Sequence, residues 1–156
     1  MRKVPAFVLL VFIFSGCIKS NDYKPCTPVP SDSEEPQLTE FCTSHSIAYT
    51  KDSNGIFYQI IDPGSGLAPA YDSKISVTYT STFLNDSLLE DHTTTPITDY
   101  LQNFIEGWRL AIPYIQKGGH IKMVIPSVLC FGCSGNPGFV PPNTPLYYDL
   151  VLVDVQ

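Results

Sequence analysis

Cys130 and Cys133 form a Cys-x-x-Cys, a spacing that suits either a redox dithiol or half of a zinc site. A redox dithiol of this kind opens a helix after a strand, where the helix N-terminus activates the first thiol. Here the chain runs on into Ser134-Gly135-Asn136-Pro137-Gly138, which reads as a loop. A zinc site needs four converging ligands, yet no second Cys-x-x-Cys or His pair accompanies this one, and His45, His92 and His120 are scattered. No paired carboxylates, Ser/His/Asp set or phosphate-cradling glycine loop is present, and Asp62-Pro63-Gly64-Ser65-Gly66 reads as a turn. No metal and no cofactor is expected. Structural disulfides are the leading reading of the cysteines, with a thiol oxidoreductase as a rival.

The N-terminus says where those cysteines reside. Arg2 and Lys3 precede an apolar run from Val4 to Phe14 and then Ser15-Gly16-Cys17, the pattern of a signal peptide. The run is too short for a hydrocarbon core of about 30 Å, which takes about 20 helical residues. Small residues before a cysteine resemble the lipobox of bacterial lipoproteins, which makes Cys17 the expected lipid anchor of an exported, membrane-attached chain. An ordinary cleaved signal is the alternative. Loss of residues 1–16 takes the formal charge from -6 to -8. With no other basic cluster, nucleic acid is not an expected partner. In an oxidising compartment Cys26, Cys42, Cys130 and Cys133 allow three pairings. The expectation is that Cys26 and Cys42 pair with Cys130 and Cys133 and staple the extension to the domain.

The 156 residues, 44% of them hydrophobic, suffice for one cored domain plus an extension. Residues 18–33, rich in Pro, Ser, Asp and Asn, read as the flexible tether that follows Cys17. From Ser33, available as a cap, the spacing of Leu38, Phe41 and Cys42 predicts a short amphipathic helix, in an extension covering 34–54. Strands are expected at 56–61, at 74–80 where Ile75, Val77 and Tyr79 share a face, at 88–91, at 120–126 and at 146–155. Thr93-Thr94-Thr95-Pro96 reads as a loop. Ile105, Trp108, Ile112 and Ile115 predict a helix within 104–117, shortened by Pro113 and stopped by Gly118-Gly119. The fold class is α+β, an antiparallel sheet packed on one helix. Taken singly, Trp108, Ile105, Tyr79 and Tyr148 read as core.

Taken together they resemble the FKBP-type peptidyl-prolyl cis/trans isomerases. The matching pieces are Phe104-Ile105-Glu106-Gly107-Trp108, Lys117-Gly118-Gly119, Val124-Ile125-Pro126, Phe131-Gly132 and Val140-Pro141-Pro142 through Leu150, in the family's order and spacing. With Gly55-Ile56-Phe57-Tyr58 and Val77-Thr78-Tyr79-Thr80 upstream, the resemblance covers 55–156. It implies a bent sheet of about five strands wrapped around one short helix, with a shallow apolar pocket between them. Trp108 would be the pocket floor, beside Phe104 and Ile105. Tyr79, Ile97, Phe131, Val140 and Tyr148 would be walls, with Leu89 and Phe139 as further substrate contacts. Ile105 would meet the substrate through its backbone N–H, and an acidic residue would touch the carbonyl.

Three positions depart from the family pattern. Its pocket tyrosine is Phe131 here, and a glycine after Tyr79 is Ser81. Its acidic residue falls on Glu90 counted from Tyr79, but on Asp91 counted back from Pro96. The implied function is prolyl isomerisation assisting exported proteins, with proline-containing polypeptides as partners, acting as a monomer. A catalytically weak binding or chaperone module is the alternative.

Overall fold

A computed structural model describes residues 25–156. Cys17, the leader and residues 18–24 of the tether lie outside the described residues. The first element is helix α1, Ser31–Ser44. It starts ahead of Ser33, whose Oγ donates to the Pro30 carbonyl at 2.6 Å instead of capping the helix. The expected tether boundary at 33 therefore falls inside a helix.

The strands are β1 Thr50–Lys51, β2 Phe57–Asp62, β3 Lys74–Phe83, β4 Leu88–Asp91, β5 Ile97–Tyr100, β6 His120–Ile125 and β7 Leu146–Val155. All pairings are antiparallel, in the order β1-β2-β6-β7-β3-β4, and β5 pairs with β3 as well. Five of these are the expected strands. β1 and β5 were not foreseen: the first has two residues, and the second follows Pro96 with only four. Both are too short for a period-two pattern to show. β5 and β4 share the side of β3 opposite β7, β5 on Lys74–Val77 and β4 on Thr80–Thr82.

Alternation sorts the side chains onto two faces. On the inner face Ile75, Val77, Tyr79, Ile121, Met123, Leu146, Tyr148, Leu150 and Leu152 join one buried cluster. Helix α2, Glu106–Ala111, fills the concavity and passes through a 3-10 turn at Ile112–Tyr114. The regular helix is shorter than the apolar spacing suggests, because Pro113 lies in that turn, where its missing N–H costs nothing. Gly107 lets α2 approach the sheet, since a Cβ there would stand 2.4 Å from Ile125 Cγ2. On the outer face the register aligns Phe57, Val124 and Tyr147 across three strands. Leu38, Phe41, Cys42 and Ile47 pack against this row, so α1 covers the back of the sheet. Burying two such side chains is worth about 3–6 kcal/mol before entropy.

Cys26 is bonded to Cys133, whereas Cys42 and Cys130 are free. This corrects the expectation that both extension cysteines are paired. Cys42 belongs to the outer apolar cluster and Cys130 packs on the inner one, so the sheet separates the two thiols.

Candidate functional site

β3, the two short strands β4 and β5 along its edge, and the start of α2 enclose an apolar pocket of about 180 Å3. Trp108 enters from the first turn of α2 and is 3% exposed. Tyr79 from β3 and Tyr148 from β7 stand edge-on to the indole, with ring centroids 4.9 and 5.3 Å away and interplanar angles of 88° and 82°. Such T-shaped contacts set a positive ring edge against a negative face, worth about 0.5–1.5 kcal/mol each beyond area burial. Phe104, just before α2, lies 5.0 Å from Trp108 at 33°. Ile97 enters from β5, opposite Val77 and therefore on the face of Tyr79. Phe131, from the connection between β6 and β7, supplies a further wall.

One charged side chain lines this pocket. Glu90 pairs with Ser81 and Asp91 with Thr80, and antiparallel partners share a face. Ser81 is buried on the face of Tyr79, which sends Glu90 to the pocket. Glu90 Oε2 accepts the Tyr79 hydroxyl at 2.9 Å. Asp91 turns outward and accepts from Thr93 N–H at 2.9 Å and Thr93 Oγ1 at 2.6 Å. The Thr93 bonds hold its carboxyl below the usual range. The register counted from Tyr79 is thus the one the hairpin adopts, and Asp91 is not in the pocket.

Burial, then the Glu90 charge and hydrogen bond, push the Tyr79 phenol well up. Burial does the same to Tyr148. Both remain neutral hydroxyls at physiological pH.

Three more expected contacts do not line this pocket. Leu89 packs on the core at a hairpin irregularity between Ser81 and Thr82. Phe139 is 71% exposed, and with Val140 it lines a separate trough of about 460 Å3 bounded by Pro137, Pro141 and Pro142. Val140 is itself buried.

Asn103 is a wall residue that sequence reasoning missed. Its Nδ2 donates to Asp99 Oδ1 at 2.8 Å, an i,i+4 polar pair that was the only local signal. Arg109 was missed as well. Its Nη1 donates to the Phe104 carbonyl at 3.1 Å, fixing the chain where it enters α2. Ile105 is the residue preceding α2, and its carbonyl accepts from Trp108 and Arg109 at 3.1 and 3.2 Å.

The cysteines do not form a dithiol centre, because Cys133 is bonded to Cys26. Burial pushes the Cys130 thiol well up, and its Sγ points to the Ile125 carbonyl at 3.6 Å. Among the described residues, no three His, Cys, Asp or Glu side chains converge as metal ligands.

Comparison with known proteins gives the same reading. FkpA of Escherichia coli (strain K12), an FKBP-type peptidyl-prolyl cis-trans isomerase, is 37% identical over 106 residues, which are 67% of this chain and 39% of FkpA. The peptidyl-prolyl cis-trans isomerase Mip of Coxiella burnetii is 26% identical over 67% of this chain and 46% of its own length. The chain thus spans less than half the length of these relatives. The crystal structure of Escherichia coli FkpA superposes with a TM-score of 0.71 and 31% identity, over 81% of this chain and 61% of that one. A Pseudomonas syringae isomerase structure shares the fold, with a TM-score of 0.68 at 23% identity over 83% of this chain and 98% of its own. A family model for the FKBP-type peptidyl-prolyl cis-trans isomerase matches residues 66–153, which hold the pocket's strands, helix and connecting loop. An aromatic pocket at the mouth of a bent antiparallel sheet, and a match over more than half of the sequence, make this chain a member of the FKBP-type peptidyl-prolyl cis-trans isomerase family.

Proposed function

We propose that this chain catalyses cis/trans isomerisation of peptide bonds preceding proline. The observation that carries the reading is the edge-on packing of Tyr79 and Tyr148 against Trp108, which makes a buried aromatic floor whose Tyr79 hydroxyl is taken by Glu90.

Turning the bond destroys amide resonance, a barrier of about 18–20 kcal/mol, and the uncatalysed step takes tens to hundreds of seconds. No nucleophile or metal is required. The planar amide is the more polar state, so a pocket that strips water from its carbonyl disfavours the ground state more than the twisted one. Each tenfold acceleration requires about 1.4 kcal/mol of that difference. Trp108, Tyr79, Tyr148, Phe104 and Phe131 hold and desolvate the proline ring. The backbone N–H of Ile105 contacts the substrate, and Glu90 offers the polar contact at the carbonyl. Ile97 and Asn103 complete the rim.

A binding or chaperone module with weak catalysis is the second reading, and Phe131 favours it, because that ring has no hydroxyl to donate to a bound amide. Signal cleavage before Cys17, lipid attachment there and service to exported proteins complete the proposal. No helix among the described residues is long and apolar enough to cross a membrane. Proline-limited refolding, followed with and without a macrolide ligand of the family, separates the readings. Acceleration that the ligand inhibits supports the isomerase, and ligand binding without acceleration supports the module. The absence of both acceleration and ligand binding refutes the isomerase and leaves only the module.

A further inference from the structure

β6 and β7 are joined by residues 126–145, which contain two single-turn 3-10 helices and one isolated bridge between Asn136 and Val140. A connection this long orders poorly unless something outside it supplies contacts. Phe131, a wall of the pocket, sits inside it. The N-terminal extension grips this connection on both sides of Phe131 and again at its return.

Upstream, Glu34 in the first turn of α1 is 3% exposed, and its Oε2 accepts the Ser127 N–H at 2.7 Å. Burying a carboxylate is costly, and an apolar residue would serve better if α1 only covered the sheet. Downstream, Cys133 carries the disulfide to Cys26. At the return, Asn143 Oδ1 accepts from Val29 N–H at 3.3 Å and its Nδ2 donates to the Thr27 carbonyl at 3.4 Å. The Asn143 N–H in turn donates to the Gly132 carbonyl at 2.8 Å, next to Phe131.

We propose that the extension is a positioning element of the pocket: Glu34 at Ser127 and Cys26 at Cys133 bracket Phe131 and hold it as a wall against the substrate proline. Its consequence for catalysis rests on the isomerase reading, whereas the ordering of the loop does not. Glu34 and Cys26 act through Phe131 and touch no substrate.

The test compares the full chain with the double variant Cys26→Ser/Cys133→Ser, with Glu34→Ala, and with Glu34→Gln, which keeps the acceptor. Thermal melts establish that each is folded at the assay temperature. Wild-type protein treated with dithiothreitol gives the disulfide comparison without a substitution. Hydrogen exchange in 127–143 should quicken at least about tenfold in the double variant and in Glu34→Ala, with β3, β6 and β7 unchanged. KM for a prolyl peptide should rise about three- to tenfold while kcat moves less than about twofold, and Glu34→Gln should follow wild type. Unchanged loop exchange together with unchanged KM in folded protein overturns the proposal and leaves the extension as a stabiliser only. A wild-type chain without isomerase activity refutes the functional reading alone, and loop exchange then decides this one.

Discussion

Tyr79 donates its hydroxyl proton to Glu90 Oε2 at 2.9 Å, joining the central strand of the pocket to the edge hairpin. The bond occupies the hydroxyl and only one of the two carboxylate oxygens of Glu90, which lines the pocket. Glu90→Ala should lower kcat/KM about three- to tenfold, in line with losing a charge-assisted hydrogen bond at a partly exposed site. Glu90→Gln, which still accepts, should lose less, and Asp91→Ala should leave isomerisation rates within about twofold of wild type. Equal losses at Glu90 and Asp91 in a prolyl peptide assay would contradict the pairing of Ser81 with Glu90.

Phe131→Tyr restores a hydroxyl at the pocket wall. One neutral hydrogen bond is worth about 0.5–1.5 kcal/mol, so kcat/KM should rise by up to about tenfold. No change, or a fall, would mean that the ring edge at 131 does not face the substrate carbonyl.

Trp108 is the only tryptophan, so its fluorescence reports the pocket floor directly. Titration with a short proline peptide should change the emission, and a matched peptide with alanine for proline should not. Trp108→Leu should reduce kcat/KM at least about tenfold, and it should lower stability by about 2–4 kcal/mol by leaving a void beneath Tyr79 and Tyr148. Denaturant unfolding and the rate assay measure the two losses separately.

Alkaline pH should unfold the protein. Burial raises the phenols of Tyr79, Tyr147 and Tyr148, and burial with an Asp52 hydrogen bond at 3.0 Å pushes Tyr114 up to about 12. Groups raised on folding add stability in full below their ordinary value of about 10, and that stability is lost as pH climbs through the folded values. Midpoints in urea should hold steady from about pH 7 to 9 and fall steeply above about 10. At the acid end, Lys117 at 2.6 Å lowers the exposed Asp154 to about 2. Its contribution is present above the ordinary carboxylate value and lost as pH falls through about 2. Because the pair is exposed, Lys117→Met should shift acid stability only slightly.

Leu38→Ala tests whether α1 belongs to the cooperative unit. The side chain is fully buried behind the sheet, so the substitution should cost about 2–5 kcal/mol in a single unfolding transition. A separate early transition would mean that the extension unfolds independently.

Local order was written in the sequence. Ile75, Val77 and Tyr79 alternate, and that alone sets β3 and its buried face, because side chains along a strand must point to opposite sides. The spacing of Ile105, Trp108 and Ile112 likewise marks the helix that carries the pocket floor, and the joint order of the aromatic and proline motifs points to the family. What pairing decides was not legible. Glu90 and Asp91 are adjacent carboxylates with the same local propensity, and only the pairing of Ser81 with Glu90 across β3 and β4 sends one inward. Cys42 and Cys130 fit a disulfide as well as Cys26 and Cys133 do until the sheet lies between them. Leu89, Phe139 and Val140 are apolar in sequence, but none of them lines the pocket: Leu89 sits at a hairpin irregularity, and Phe139 and Val140 line a separate trough in a long loop. Short-range periodicity is a property of the chain, whereas register, face and bond partner depend on residues far apart in sequence that only the folded sheet brings together.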